Sequence, residues 1–247
     1  MTLHARKLVV KDRLHGIDAA LEVGQLTAIC GPNGAGKSTF LTALAGLLEP
    51  DGGEITLDGR ALASLAPRER ARRIGYLPQT PEVAWDVSVE ALVALGRIPW
   101  AGGPSGEAAQ AIDDALAAMD MERFRHRPVS RLSGGERARA LAARVLATRP
   151  GWLLADEPLA NLDLAHAAAL MARLRDQTAG GVGVVVVLHD LAAAMNHADR
   201  VIVLACGECM ADGPPHAALD AATIRRVWGV EAQWLGEPGS MALALRG

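Results

Sequence analysis

The sequence predicts an α/β fold with a mostly parallel sheet, an N-terminal antiparallel β part and an inserted helical subdomain. Three observations predict it. The segments Trp152 to Ala155 and Val184 to Leu188 are continuous apolar runs, as in strands buried on both faces of a parallel sheet. Helical patterns alternate with such runs in the two flanking parts of the chain. Between residues 82 and 146 helical patterns dominate instead. The expected organisation is one domain over 1–247, with an α/β core from 1–81 and 147–247 and the helical part at 82–146.

Composition narrows the class. The 247 residues are 50% hydrophobic with a net charge of -3, which excludes a disordered chain and suits a globular one. No window reaches the roughly 18 uncharged apolar residues of a membrane span. The first twelve residues carry Arg6, Lys7, Lys11 and Asp12 without an apolar stretch, so no signal peptide is expected and the expected location is cytoplasmic. Three cysteines make no disulfide framework, and the near-neutral charge argues against a nucleic-acid partner.

The elements follow in order. Short strands are expected at Lys7 to Val10, Ile17 to Leu21 and Leu26 to Cys30, with Gly16 and Gly24 between them. A glycine-rich turn, Gly31 to Gly36, leads into a helix bearing Phe40, Leu41, Leu44, Leu47 and Leu48, which Pro50, Gly52 and Gly53 should end. Strands are expected at Glu54 to Leu57 and Ile74 to Pro78. Helices are expected at Val87 to Leu95, Glu107 to Met119 and Glu136 to Leu146, with a Gly/Pro-rich loop at Pro99 to Gly106. After the apolar strand at Trp152 come helices at Leu164 to Gln177 and Leu191 to His197. A strand pair around Gly207 and a short helix near Ala221 to Trp228 close the chain.

The chemistry lies at the ends of these elements. Gly31, Pro32, Asn33, Gly34, Ala35, Gly36, Lys37, Ser38 and Thr39 fit G-x-x-x-x-G-K-[ST] between a strand and a helix, the context of a P-loop. Its backbone amides and the helix N-terminus can cradle a β-phosphate, Lys37 can reach the β- and γ-phosphates, and Ser38 can ligate Mg²⁺. Lys37 is one of only three lysines. Ligands collect at the carboxyl edge of a parallel sheet. There Asp156 is placed to hold Mg²⁺, directly or through water, and Glu157 to polarise an attacking water. His189 ends another apolar strand and can contact the γ-phosphate. Gln79, after the strand at Ile74, can touch Mg²⁺ and the attacking water or be a plain loop residue. Ser133, Gly134 and Gly135 cap a helix and form a second anion-binding terminus, or an ordinary capped start. One P-loop and two such termini suggest a head-to-tail dimer sharing each nucleotide.

The combination resembles the ATP-binding subunit of an ABC transporter. Gly31 to Thr39 matches Walker A, Leu132 to Glu136 the LSGGE signature, and Leu153 to Glu157 Walker B with its catalytic Glu. Gln79 matches the Q-loop glutamine, Leu162-Asp163 the D-loop and His189 the switch histidine. The resemblance implies the ABC ATPase fold, ATP and Mg²⁺, nucleotide contacts from Gln79 and Asp163, and catalysis by Glu157 and His189 with help from Lys37. It also implies a homodimer, integral-membrane permease subunits and, indirectly, a solute-binding protein, at the cytoplasmic face of the inner membrane. The segments Leu95 to Pro99 and Val187 to Leu191 are similar to those of importers of iron–siderophore complexes, haem or cobalamin. One departure is visible: the family stacks adenine on an aromatic ring ahead of the P-loop, yet residues 1 to 30 hold none and Val10 stands near that position. The missing ring forfeits on the order of 1 kcal/mol. A soluble ABC ATPase in repair, translation or cluster assembly and a small-molecule P-loop kinase are the rival readings; the signature stands against the second.

Other features have plain expectations. Cys206 to Cys209 is read as a turn between strands, Cys30 as a buried residue, and Arg68, Arg70, Arg72 and Arg73 as a solvated helix face. Trp85, Trp100, Trp228 and Trp234 are either a partner surface or local core.

Overall fold

The structure is a computed structural model, and it describes residues 1–79, 86–102 and 104–245. The chain opens with β1 (Thr2–Val10), β2 (Leu14–Glu22) and β3 (Leu26–Cys30), then α1 (Lys37–Leu44). Next come β4 (Gly52–Leu57), β5 (Arg60–Ala61), α2 (Pro67–Arg73) and β6 (Ile74–Leu77). The helices α3 (Val89–Ala94), α4 (Ser105–Ala118) and α5 (Gly134–Leu146) follow. The core resumes with β7 (Trp152–Asp156), α6 (Leu164–Ala179), β8 (Gly183–Val187), α7 (Leu191–His197), β9 (Arg200–Ala205) and β10 (Glu208–Gly213). It ends with α8 (Pro215–Ala218), α9 (Ala221–Trp228), β11 (Ala232–Leu235) and β12 (Ala242–Leu245).

The main sheet has the order β10-β9-β3-β8-β7-β6. All its pairings are parallel except β9 with β10. The carboxyl ends of β3, β6, β7 and β8 therefore share one edge. An antiparallel sheet, β2-β1-β4-β5, covers one side.

The continuous apolar runs have a direct cause. Successive residues of a strand face opposite sides. Leu26, Ala28, Leu153, Ala155, Val184 and Val186 enter the core shared with α3, α4, α5 and α6. Ile29, Leu154, Val185 and Val187 enter the second core, with α1 and the antiparallel sheet. The main sheet thus lies between two cores and shows water neither face along β3, β7 and β8.

Most expected elements appear at or near their expected places, with differences that have local reasons. The first helix stops at Leu44, ahead of Leu47 and Leu48, because Gly46 takes a left-handed φ of 67° and turns the chain early. Leu47 is consequently 60% exposed. The helix expected from Val87 starts at Val89 behind a Ser88 cap and passes into a 3-10 segment, Leu95–Trp100, that takes in Pro99. β5, α8 and the β11–β12 hairpin were not anticipated; each is short. Trp85 and residues 82–85 of the expected helical part lie outside the described residues. Among the described residues, no helix is long and apolar enough to cross a membrane.

Candidate functional site

The loop Gly31–Gly36 joins β3 to α1, and the helix begins at Lys37 with Gly36 as its N-cap. Gly31 adopts φ 152°, and a Cβ there would lie 2.1 Å from the Leu204 carbonyl oxygen. Gly36 adopts φ 96°, and a Cβ there would lie 2.9 Å from the Arg13 carbonyl oxygen. Only glycine permits this approach of three backbones. From the β9–β10 turn, the Gly207 N–H donates to the Ala35 carbonyl at 3.2 Å. The His15 N–H donates in turn to the Gly207 carbonyl at 2.8 Å. The β9–β10 turn and the start of β2 thus brace the loop.

Lys37 is buried, and its Nζ donates to the carbonyls of Gly31 and Pro32 at 2.9 and 3.0 Å. Burial pushes its pKa below the ordinary lysine value, against the pull of Glu157, Cys30 and Asp156. The ammonium is held inside the loop's curve, where a phosphate would sit.

Ser38 Oγ donates to Asp156 Oδ1 at 3.0 Å, across from the end of β7. Asp156 is 4% exposed, and burial pushes its carboxyl above the usual range despite the Ser38 hydrogen bond. A hydroxyl beside a desolvated carboxylate is an oxygen donor pair suited to a hard cation such as Mg²⁺. The donor set fits the metal.

Glu157 follows with a φ of 47°, a left-handed conformation unusual for a non-glycine residue. Such strain of order 1–3 kcal/mol is characteristic of functional positions. Both its carboxylate oxygens are engaged. Gln79 Nε2 donates to Oε2 at 2.6 Å, and His189 Nε2 lies 2.5 Å from Oε1. Three strand ends, from β6, β7 and β8, therefore converge on one carboxylate. Gln79 meets Glu157 through its nitrogen, which leaves its Oε1 as a candidate oxygen ligand.

The signature segment stands apart from this cluster in its contacts. Ser133 is the N-cap of α5 in a full capping box: its Oγ accepts from the Glu136 N–H at 3.3 Å, and Glu136 Oε2 accepts from the Ser133 N–H at 2.9 Å. Hydrogen bonding from Ser133 and nearby arginines hold Glu136 below the usual carboxylate range. Asp163 caps α6, accepting from the His166 N–H at 2.8 Å, with His166 Nδ1 also 2.8 Å from each carboxylate oxygen. Its carboxylate is thus engaged by its own helix. His166 escaped the sequence reading, although Asp163-x-x-His166 spacing at a helix start was a signal for it.

The geometry is that of a nucleoside-triphosphate site, and comparison identifies its lineage. A family profile described as ABC transporter matches residues 14–160. The chain belongs to the ABC transporter ATP-binding family. The cassette is 44% identical over 248 residues to the hemin import ATP-binding protein HmuV of Nocardia farcinica, covering 96% of this chain and 86% of that one. It is 37% identical to the protein of the same name from Bordetella avium over the whole of both chains. Among solved structures it is similar to cbiO1 from Clostridium perfringens, part of the ABC transporter complex cbiONQ (TM-score 0.81, 27% identity, 91% and 92% covered). It is also similar to the dimeric post-hydrolysis state of the cassette MJ0796 bound to ADP and Pi (TM-score 0.76, 27% identity, 86% and 98% covered). The ABC ATPase fold and an ATPase activity coupled to transport follow for the cassette.

The secondary expectations also meet the structure. Cys206 lies in the β9–β10 turn and Cys209 in β10, both as free, exposed thiols, and Cys30 is buried. Arg68 to Arg73 lie on α2, none of them buried, with Arg72 over the Trp100 ring. Trp100 donates to the Thr148 carbonyl at 2.9 Å, and Trp228 and Trp234 pack against the first core. Val10 is buried at the end of β1.

Proposed function

We propose that the cassette is the ATP-hydrolysing motor subunit of an importer for an iron chelate, haem or cobalamin. It acts as a head-to-tail homodimer beneath integral-membrane permease subunits, on the cytoplasmic face of the inner membrane, with cargo supplied by a solute-binding protein. The observation that carries the catalytic reading is the convergence of Gln79 and His189 on the two oxygens of Glu157, beside Lys37, Ser38 and Asp156. The cargo reading is supported by relatives at 37–44% identity named as hemin import ATP-binding proteins.

In this reading the amides of Gly34 to Thr39 bind the phosphates, and Asn33 and Pro32 shape the curve around them. Lys37 exchanges its loop carbonyls for phosphate oxygens, so its charge gains a counterion in a desolvated site. Ser38, Asp156 and Gln79 Oε1 would hold Mg²⁺, which when bound neutralises phosphate charge. Glu157 orients and polarises the attacking water, and His189 donates toward the γ-phosphate. Ser133, Gly134 and Gly135 close on the nucleotide of the other subunit, with Asp163 at the same junction. The exposed Leu164, 91% accessible beside Asp163, supports a surface that a second subunit covers. The permease is taken to dock near Gln79 and the helical part, 82–146.

The test compares wild type with Glu157→Gln. The mutant is expected to lose hydrolysis and to accumulate as an ATP-bound dimer in light scattering. A mutant that stays monomeric with ATP and hydrolyses it normally overturns the assignment.

A further inference from the structure

His166 lies outside every contact that the catalytic reading uses, yet it touches the signature directly. Gly135 is buried while its neighbour Gly134 is exposed. A Cβ on Gly135 would lie 2.1 Å from His166 Cδ2, 2.3 Å from Cγ and 2.6 Å from Cβ. The imidazole therefore fills the space that any side chain at position 135 would need. The ring is itself fixed, since Nδ1 lies 2.8 Å from both oxygens of Asp163. Asp163 in turn is fixed as the cap of α6, whose Leu170, Met171 and Leu174 are fully buried.

We propose that His166 is a positioning residue for ATP hydrolysis: tethered to Asp163, its ring is the seat on which the first turn of α5 rests, and it sets the aim of the Gly134 and Gly135 amides. This rests on the reading that those amides meet the nucleotide of a second subunit. The physical reason for such a seat is directional. Amide donors act on phosphate only when aimed at it, and an error of about 1 Å can lower a rate by a hundredfold. A capping box holds the helix start to itself; it does not fix that start in the molecule. The His166 contact does, and it ties α5 to the chain segment that leaves Glu157 only six residues before Asp163. The tether demands an N–H at the δ position, which an apolar packing residue lacks and which Asn can supply.

The experiment uses the full chain carrying Glu157→Gln, so that ATP-driven dimerisation is read without hydrolysis, and the Glu157 protein for kinetics. His166→Ala is expected to raise the ATP concentration for half-dimerisation and to lower kcat, each by about tenfold or more. ATP binding by the monomer, measured by fluorescent-nucleotide titration, is expected to stay within about twofold, because the P-loop is untouched. His166→Asn should recover most of the loss. If Glu157→Gln alone fails to dimerise with ATP, the two-subunit reading falls. If it dimerises and adding His166→Ala changes neither dimerisation nor kcat, the positioning role falls. A second pair covers the case in which His166→Ala unfolds. Gly135→Ala should abolish dimerisation because its methyl meets Cδ2, Cγ and Cβ of His166, and Gly135→Ala with His166→Gly, which removes all three, should recover part of it. Equal behaviour of the single and double variants overturns the proposal.

Discussion

Asp156 and Lys37 face each other's surroundings with opposite penalties. Burial raises the Asp156 carboxyl and lowers the Lys37 ammonium. A carboxyl whose folded pKa exceeds its unfolded value adds stability fully below the unfolded pKa and loses that contribution as pH rises through the folded one. At neutral pH the ionised Asp156 therefore destabilises the free protein. The lowered Lys37 works in reverse: its contribution is complete above the unfolded lysine value and is lost as pH falls through the folded one, so its charged form is also a burden at neutral pH. Asp156→Asn should accordingly melt higher than wild type at pH 7 to 8. The gap should narrow toward about pH 4, the ordinary carboxylate range. The same variant should lose most of the gain from Mg·ATP, which for wild type reaches about 2.7 kcal/mol at a hundredfold excess over Kd. Thermal melts across pH, with and without Mg·ATP, read both effects. The thiols give a second measurement at this scale. Burial pushes Cys30 up to about 12, while Cys206 and Cys209 are exposed. Iodoacetamide at pH 8 should label Cys206 in the native protein, Cys209 more slowly because burial raises its thiol, and Cys30 only in denaturant, as mass spectrometry can show.

The start of α5 carries a full capping box. The box satisfies the Ser133 and Glu136 amides reciprocally. Ser133→Ala should remove about 1 kcal/mol of stability. It should lower the melting temperature by about 2–4 °C, with a larger fractional loss of hydrolysis than of fold. The elements differ in how far the sequence disclosed them. Strands β3, β7 and β8 were legible because both their faces are buried, so nearly every position is apolar, with Thr27 in β3 and Asp156 at the end of β7 as exceptions. The loop Gly31–Gly36 was legible because close backbone approach demands glycine. The early end of α1 was hidden because Leu47 and Leu48 continue its spacing, and only the left-handed turn at Gly46 breaks it. The β11–β12 hairpin was hidden because it is short and half exposed, so no alternation marks it. The strained φ of Glu157 and the seat beneath Gly135 depend on contacts between distant segments, which no local pattern records.

At the scale of the whole molecule, the site is an edge to which separate strands deliver their residues. Gln79 arrives from β6, Glu157 from β7 and His189 from β8, and the strand order alone brings them together. Sedimentation of the Glu157→Gln protein should show a dimer in the presence of ATP. The placement of β3 between two cores has its own consequence. Its amides are shielded on both sides and paired with β8 and β9 on both edges. Hydrogen exchange at Leu26 to Cys30 should therefore proceed only through global opening, and be among the slowest in the described residues, with that of β7 and β8. β6 pairs with β7 alone, at the rim of the sheet. The loop at Gly31 is thus mounted on a fixed post, and Gln79 on the outermost rail. Motion during a turnover cycle is expected to be taken up at that rail, with the phosphate cradle as its stationary reference.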